Sequence, residues 1–293
     1  MTTTTLDELL PTDEEVAAYR RDGFYVSRPI VPDAVLDEAE RGMARFYAGD
    51  LDAPFPGVTR YDHCDWVPAD GNVLRKNDFA TFMVRELDAL ARTPTIAAVA
   101  ARLAGAPEIR LWGDQLLYKP PGLAGSSGNV GWHTDRQYWE MCTSEEMLTA
   151  WVPFHDCDDT TGTITFVPGS HRWEQSGLDF FNQDLEALER SIATPAGHLR
   201  KVSPRIPRGV VSFHHCRTVH GSGPNVSGQP RRSMAIHMQP GDNRWREPIG
   251  VAPERVHHRN DDLCRYIDGA PDYTDPWLFP TLFPAPPAGR IQP

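Results

Sequence analysis

The sequence predicts a mainly β fold with flanking helices: a double-sheet jelly roll behind a helical N-terminal buttress. From residue 109 onward, short strand-like segments alternate with turn clusters, whereas residues 12–108 carry mostly helix-type spacing of apolar side chains. The 27 prolines favour loops and sheet edges over long helices. A chain of 293 residues is an ordinary size for one all-β domain. We therefore expect a single domain over residues 1–293.

The N-terminal buttress is expected to contain three helices. The first begins at Thr12, which forms a capping box with Glu15 three residues later, and it ends near Gly23. Glycine is the usual residue at such an end because it adopts the left-handed conformation. The remaining expected elements are a strand at 24–26, a helix from Asp33 to about Tyr47, and a helix from Pro94 to Leu103.

Two stretches before residue 109 are expected to lack regular structure. Residues 1–11 are predicted to be a disordered leader. Residues 49–72 are rich in Pro, Asp and Gly and form a long loop. Long loops in compact domains are often lids or binding segments, and an ordered surface excursion is equally compatible with this composition.

The jelly-roll core is expected over residues 109–240. An insertion at 171–204 carries one helix around Leu185–Ile192, and an irregular, Pro-rich tail follows at 241–293. Turn clusters separate the strands, as at 158–162 and 221–230. The predicted strands are Ile109–Lys119, Trp132–Tyr138, Leu148–His155, Thr163–Pro168, Val210–Phe213 and Ser233–Gln239.

Charge and cysteine content exclude several classes of partner. The formal net charge of -11 argues against binding nucleic acid or an anionic membrane by electrostatics. No apolar run is long enough to span a bilayer, and the N-terminus has no secretory pattern. The odd number of widely spaced cysteines indicates reduced thiols in a cytoplasmic protein. These cysteines are Cys64, Cys142, Cys157, Cys216 and Cys264.

His133 and Asp135 are the first candidates for a chemical site. In an extended strand, side chains two residues apart point to the same face. A neutral imidazole and a carboxylate are two of the three groups of a facial triad, the ligand set suited to Fe(II) with open positions for substrates. The third group should be a distant histidine, and His214, His215 and His220 compete for it.

Arg231 follows His220 by eleven residues, across the turn region 221–230. A hairpin of this length places Arg231 on the strand that neighbours His220. If two open metal positions take a 2-oxo acid, the remote carboxylate of that acid needs a partner, and the planar fork of arginine pairs it bidentately. One aspartate leaves the ferrous site at +1, and Arg231 adds another +1. Together they would balance a dicarboxylate in a low-dielectric pocket.

An ordered set of motifs resembles the phytanoyl-CoA dioxygenase family, a branch of the Fe(II)/2-oxoglutarate oxygenases. The resemblance spans roughly residues 13–240 and begins with Glu15-Val-x-x-Tyr-Arg-Arg-Asp-Gly-Phe24. The combination is far more specific than His-x-Asp alone. The other motifs are His133-Thr-Asp135, Trp151, Gly162-Thr-Ile-Thr-Phe-Val-Pro-Gly-Ser-His171 and His220-Gly-Ser-x-x-Asn-x-Ser-x-x-x-Arg231-Arg-Ser.

This resemblance implies a double-stranded β-helix core, a cupin-like jelly roll. It implies that His133, Asp135 and His220 bind Fe(II), that Arg231 holds the cosubstrate 2-oxoglutarate, and that Trp151 lies near that cosubstrate. O2 is the second cosubstrate of such enzymes. Halogenating relatives have a small residue in place of the aspartate, so the presence of Asp135 argues against halogenation.

Further residues are candidates for the walls of the pocket. Ser233 returns to the face of Arg231 and could share the carboxylate, whereas strand alternation turns Arg232 to the opposite face. Gln115, Leu117 and Thr163 could line the cosubstrate pocket. The candidates for substrate contact are Arg136, Gln137 and Trp139 beside the metal strand, with Lys76 and Asn77 from the lid. Those interpreted as loop or supporting residues are His155, His214, His215 and 168–171.

The leading hypothesis is a 2-oxoglutarate-dependent dioxygenase that hydroxylates an unactivated C–H bond and releases succinate and CO2. Desaturation, epoxidation and ring formation use the same iron and are not separated by sequence. One alternative is a jelly-roll hydrolase or isomerase that uses the same triad without 2-oxoglutarate, with Arg231 holding a substrate carboxylate. Another is a catalytically silent binding module, which an intact triad disfavours.

The substrate is expected to be a small molecule, and the protein a monomer or homodimer. Arg60, Lys76 and Arg136 would suit an acidic or carrier-bound substrate. The Ala-, Arg- and Pro-rich composition is typical of a GC-rich bacterial coding source, where such enzymes often act in secondary metabolism. The expected pocket walls are residues 49–80, 171–204 and 240–293.

Overall fold

Two antiparallel sheets make up the core of the structure, a computed structural model that describes residues 5–55, 66–122, 128–173, 199–250 and 257–284. A separate two-stranded hairpin lies in the C-terminal part. The strands are β1 (Phe24–Pro29), β2 (Arg75–Asp78), β3 (Ile109–Lys119), β4 (Val130–His133), β5 (Leu148–Pro153), β6 (Ile164–Phe166), β7 (Val210–His215), β8 (His220–Ser222), β9 (Arg231–Pro240), β10 (Tyr266–Ile267), β11 (Ala270–Pro271) and β12 (Thr281–Phe283).

The larger sheet has the strand order β1-β7-β5-β9-β3-β12, and β2 pairs with the end of β3 that β12 does not reach. The smaller sheet has the order β4-β8-β6. Together with the flanking helices, these sheets confirm the predicted mainly β fold. Successive side chains of a strand point to opposite faces, so the larger sheet has an outer face toward the helices and an inner face toward the smaller sheet.

The helices cover the outer face of the larger sheet. Leu116 and Ile236 belong to the cluster that packs there, together with buried side chains of the helices. Their neighbours in sequence, Leu117 and Ala235, belong instead to an inner cluster with Trp151. The described helices are α1 (Leu6–Leu9), α2 (Asp13–Asp22), α3 (Asp33–Ala48), α4 (Ala80–Met83), α5 (Arg85–Ala91), α6 (Pro94–Ala104) and α7 (Arg259–Leu263).

The local capping signals predicted the long helices well. Thr12 accepts a hydrogen bond from the backbone N–H of Glu15, and the Glu15 carboxylate accepts one from the backbone of Thr12, as a capping box requires. Gly23 and Gly105 end α2 and α6 in the left-handed conformation. These ends depend on residues close in sequence, and for that reason the sequence alone predicts them.

The predicted disordered leader is wrong for its described part. Residues 6–9 form α1, and the Arg28 guanidinium donates to the carbonyl oxygens of Leu9 and Leu10 at 3.3 and 2.8 Å. Both leucines also pack against the main core. The chain before α2 is therefore held against the domain.

The predicted tail is not irregular throughout its described residues. It contains α7, a hairpin, and β12, which pairs with Arg110 and Ile109 at the start of β3. Phe279 and Tyr273 form a buried cluster with Trp112 of β3. The burial of these aromatic side chains fixes the tail to the sheet despite its proline content.

The predicted lid and insertion are only partly described. Within 49–72, residues 68–70 form a 3-10 turn, and Arg75 stacks over the rings of Trp66 and Tyr118 with Cζ 4.0 and 4.2 Å from their centroids. The predicted helix Leu185–Ile192 lies outside the described residues, as does Arg60. Among the helices that the structure describes, none has the length and apolarity to cross a membrane.

We predict that Phe279→Ala lowers the free energy of unfolding by about 3–5 kcal/mol, the usual cost of deleting a fully buried phenylalanine. The Phe279 ring is 0% exposed and stacks on Trp112 with centroids 5.2 Å apart. Ile249→Ala, at a side chain 92% exposed, should change stability by less than about 0.5 kcal/mol. Urea unfolding measures both, and equal midpoints for the two variants would show that the tail does not stabilise the domain.

Candidate metal centre

Three candidate ligands meet where the smaller sheet faces the larger one. His133 ends β4 and His220 begins β8, and the two residues are direct partners across the strand pair. Asp135 Oδ1 lies 3.8 Å from His133 Nε2 and 3.6 Å from His220 Nε2. Ligand atoms from all three residues fall within 4.8 Å of one another. This spacing leaves room for one ion among two nitrogens and a carboxylate oxygen.

The backbone conformation at Asp135 differs from the predicted one. The strand predicted for 132–138 ends at His133, and Asp135–Tyr138 form a 3-10 turn. Thr134 between them is extended (φ -119°, ψ 143°), so the side chains of His133 and Asp135 still project together. The turn is fixed by the backbone N–H of Arg136, which donates to Cys216 O at 2.8 Å.

Both imidazoles are held in the tautomer that a metal requires. His133 Nδ1 lies 2.8 Å from Gly131 O, and His220 Nδ1 lies 2.9 Å from Thr218 O. A carbonyl oxygen only accepts hydrogen bonds, so each Nδ1 carries the proton and each Nε2 keeps its lone pair. Burial, with the charge of the neighbouring imidazole, lowers the pKa of His133 to about 3 and of His220 to about 4. Both rings are therefore neutral near pH 7.

The Asp135 carboxylate is ionised and held on its second oxygen. Burial opposes its ionisation, but the neighbouring His220 and His214 outweigh burial and hold the pKa of this carboxyl well below its usual range. Thr149 Oγ1 donates to Oδ2 at 2.6 Å, and His214 Nε2 lies 3.2 Å from the same oxygen. Oδ1 consequently remains for a metal ion.

The structure separates the three histidines that competed for the third position. His220 faces the other two groups, whereas His214 contacts the far oxygen of Asp135. His215 points elsewhere: its ring lies 5.3 Å from that of His171, and its Nδ1 accepts the backbone N–H of Arg217 at 3.1 Å. The geometry therefore favours His133, Asp135 and His220 as the ligand set.

A second buried group of side chains lies at the start of β9. Arg231 is 1% exposed and donates from Nη1 to Gly162 O at 2.7 Å, while its Nε finds no partner among the described residues. Its guanidinium carbon lies 5.4 Å from the Trp151 ring centroid. Lys119, directly opposite on β3, is 0% exposed and donates to Ser222 Oγ at 2.8 Å.

The two buried basic side chains have no acidic partner in the part of the chain that the structure describes. Within the described ranges, neither Arg231 nor Lys119 forms an ion pair with a carboxylate. Burial, followed by the charge of Arg231, lowers the pKa of Lys119 to about 5, and burial lowers that of Arg231 to about 10. Buried charges are normally paired. An external anion is the missing partner that these side chains fit.

Lys119 is the residue that sequence reasoning missed. A lysine at the end of a strand usually extends into solvent. The available signal was its spacing: Lys119 lies two residues beyond the inward-facing Leu117 and therefore on the same face. Thr149 and His237 were also missed, because nothing local distinguishes a threonine or a histidine inside an apolar strand.

The pocket-wall candidates near the cosubstrate divide into two groups. Ser233 is 0% exposed, and its hydroxyl has no partner among the described residues, as the sharing of an incoming carboxylate requires. Arg232 faces Glu40 at 3.7 Å on the opposite side, as alternation predicts. Thr163 already donates its proton to Pro204 O at 3.1 Å, and Gln115 donates to Asp78 at 3.0 Å. The Thr163 hydroxyl proton is therefore used within the protein, and the place of Thr163 in the lining of the cosubstrate pocket stays a prediction.

The candidates for substrate contact also separate. Arg136 donates to Ser144 O and Cys142 O at 2.8 and 2.9 Å, so this guanidinium braces the chain instead of facing a substrate. Trp139 packs in the buried tail cluster. Gln137 is buried, and its amide has no partner among the described residues. The other candidates form hydrogen bonds within the protein. Asn77 Nδ2 donates to Trp66 O, His155 Nε2 accepts the backbone N–H of Arg232, and His171 Nε2 lies at hydrogen-bond distance from Arg20 O.

The fold and the site define a class: a jelly-roll protein with a buried site of two histidines and one carboxylate. Residues 19–233 match the profile of one protein family, whose description is Phytanoyl-CoA dioxygenase (PhyH). Because this match covers most of the sequence, the chain belongs to the phytanoyl-CoA dioxygenase family.

Individual relatives agree with this assignment. Ectoine dioxygenase of Bordetella bronchiseptica is 26% identical over 265 residues, which cover 83% of this chain and 80% of that enzyme. The human peroxisomal phytanoyl-CoA dioxygenase is 21% identical over 283 residues, covering 94% and 83%. Among solved structures, the epimerase SnoN in complex with Fe3+, alpha ketoglutarate and nogalamycin RO is 25% identical, with a TM-score of 0.69 over 92% of this chain and 98% of that one.

We predict that His133→Ala weakens Fe(II) binding by more than about 100-fold, since even the hydrogen-bond partners of metal ligands change affinity by roughly 10–100-fold. The matched control is His257→Ala, at a histidine side chain that is 52% exposed on the surface. Anaerobic equilibrium dialysis with Fe(II) measures both. An unchanged affinity in His133→Ala would remove this residue from the ligand set.

Proposed function

We propose that this protein is an Fe(II)- and 2-oxoglutarate-dependent dioxygenase that hydroxylates an unactivated C–H bond of a small molecule. The reaction consumes O2 and 2-oxoglutarate and releases succinate and CO2. The observation that carries the proposal is the buried pair Arg231 and Lys119, which lacks a carboxylate partner among the described residues and shares the inner face of the fold with the triad. Family membership supports the same conclusion.

The side chains of the triad fit an Fe(II) ion. Two neutral imidazoles, one carboxylate oxygen and open positions on the remaining side are the donor set of a non-haem Fe(II) site. When bound, Fe(II) supplies coordination positions for the keto acid and for O2, together with the oxidising chemistry. The protein side chains supply the ligands His133, Asp135 and His220.

Arg231 and Lys119 would bind the remote carboxylate of 2-oxoglutarate. The Nε of Arg231 and the hydroxyl of Ser233, neither of which has a partner among the described residues, could donate to its oxygens. Ser222 Oγ lies between the two basic side chains, 2.8 Å from Lys119 Nζ and 3.4 Å from Arg231 Nη1, and keeps both oriented. Trp151 covers the guanidinium and excludes water from it.

This arrangement disfavours a hydrolase or isomerase that works without 2-oxoglutarate. A site of that kind needs one anchor for a substrate carboxylate, whereas this one offers the remote carboxylate of the keto acid two basic side chains and the Ser233 hydroxyl, which has no partner among the described residues. Stereochemical inversion on the same cofactors is a second candidate outcome, because a neighbour of matching length and fold is an epimerase. Product analysis separates inversion from hydroxylation.

The substrate class that we propose is a small molecule, in keeping with relatives named for ectoine and for a nogalamycin compound, and the setting that we propose is bacterial secondary metabolism. Among the described residues, Lys76 is the basic side chain that remains for an acidic or carrier-bound substrate, since Arg136 is engaged with backbone carbonyl groups. Lys76 pairs with the inward-facing Leu117 on the neighbouring strand. We further propose a cytoplasmic monomer or homodimer, in agreement with the described cysteines, which are buried free thiols.

The proposed function is tested in two steps. Under anaerobic conditions, adding 2-oxoglutarate to the Fe(II) protein should produce the visible charge-transfer band of a chelated keto acid. A panel of small molecules should then include compounds that raise O2-dependent succinate formation, and His133→Ala should abolish it. A wild-type protein that binds Fe(II) and shows no band would contradict the assignment.

We predict that 2-oxoglutarate binding takes up about one proton at about pH 7.5. With a pKa of about 5, the buried Lys119 amine is neutral at that pH in the free protein. A dianion placed against it favours the ammonium form and raises its pKa, so a proton enters on binding. Below pH 5 the amine is already charged, and the uptake should fall toward zero.

Calorimetry in buffers of different ionisation enthalpy measures this uptake. Lys119→Met should bind 2-oxoglutarate more weakly and without the proton, while the exposed Lys201→Met should behave as wild type. Equal proton uptake by wild type and Lys119→Met would place the titrating group elsewhere.

A further inference from the structure

The two oxygens of Asp135 have different surroundings. Oδ1 faces the Nε2 atoms of His133 and His220. Oδ2 faces away from them and contacts Thr149 and His214, which come from neighbouring strands of the larger sheet. The hydrogen bonds to this carboxylate from described side chains are therefore on Oδ2, and Oδ1 faces the other two candidate ligands.

The protons in this contact can be assigned from the bonding partners. An ionised carboxylate only accepts, so the single hydroxyl proton of Thr149 points to Asp135 Oδ2. Thr149 Oγ1 also lies 2.8 Å from His237 Nδ1, and with its proton already used it accepts there. His237 therefore donates to Thr149, and Thr149 donates to Asp135.

The strands that carry these donors are rigidly paired. Thr149 of β5 is the direct partner of His214 on β7 and of His237 on β9. The three residues form one row across the middle of the larger sheet, directly beneath Asp135. Ladder hydrogen bonds fix the backbone positions of these residues, so the two donors start from fixed points on the Oδ2 side of the carboxylate.

We propose that His237, Thr149 and His214 are positioning residues that keep Asp135 monodentate and thereby keep one metal position open for O2. This inference rests on the proposed function. An octahedral ion with three protein ligands has three positions left, of which 2-oxoglutarate takes two. A carboxylate that bound through both oxygens would occupy the last position.

The experiment uses nitric oxide as a probe of that last position. Anaerobic Fe(II) protein with 2-oxoglutarate is titrated with nitric oxide, and the complex is measured by its electron paramagnetic resonance signal. Thr149→Val, which replaces the hydroxyl by a methyl group of similar size and so removes both the donor to Asp135 and the acceptor for His237, should bind nitric oxide at least tenfold more weakly while keeping the keto acid charge-transfer band. Thr149→Ser should restore the wild-type affinity, and Thr281→Val on β12 is the matched control.

A second pair of variants tests the donor behind Thr149 and does not depend on Thr149→Val folding. His237→Phe removes the donor, and His237→Asn places an amide nitrogen near the position of Nδ1. Nitric oxide affinity should fall in His237→Phe and recover in His237→Asn.

A wild-type affinity in Thr149→Val or His237→Phe, with the charge-transfer band intact, would overturn the inference. Loss of the iron together with the band would also overturn it, because His214, Thr149 and His237 would then be needed for iron binding itself and not for keeping Asp135 monodentate. Absence of the band in the wild-type protein would instead contradict the proposed function.

Discussion

The candidate metal centre depends on the close pairing of two short strands, β4 and β8. This pairing places His133 directly opposite His220, and the next turn of chain adds Asp135. A Cβ atom at Gly221 would lie 2.9 Å from Val130 O and 3.2 Å from the Trp132 ring, so a side chain there would push the strands apart. Glycine after the second histidine is thus a requirement of the geometry.

A second constraint is the placement of charge in the interior. Burying Lys119 and Arg231 without carboxylates costs free energy that the folded chain recovers only when an anion binds. Binding a dianion then stabilises the folded state in proportion to its affinity and concentration. The proposed anion site is in this sense less stable when empty than an ordinary ion pair would be.

The sequence was sufficient where structure depends on local signals. The bounds of β3 and the caps of α2 and α6 follow from alternation, a capping box and glycine stops, all of which lie within the element itself. The ordered motifs were likewise sufficient to bring His133, Asp135 and His220 to one place.

Sequence reasoning failed where a distant residue decides the outcome. The 3-10 turn at Asp135 depends on the carbonyl group of Cys216, which no local pattern reveals. Lys119 acquires its meaning from Arg231 on the neighbouring strand. The tail is ordered because Phe279 finds Trp112, and a Pro-rich composition hides such a contact.

The pairing of β12 with β3 also bears on how the chain folds. β3 begins at Ile109 beside β12 and ends at Lys119 beside Arg231, so one strand joins the C-terminal segment to this buried basic pair. Contacts between residues so far apart in sequence form late in folding, because bringing them together costs the conformational entropy of the long intervening chain. A nascent polypeptide therefore cannot complete this sheet until residue 283 has been synthesised, and shorter fragments would expose an unpaired edge that invites aggregation.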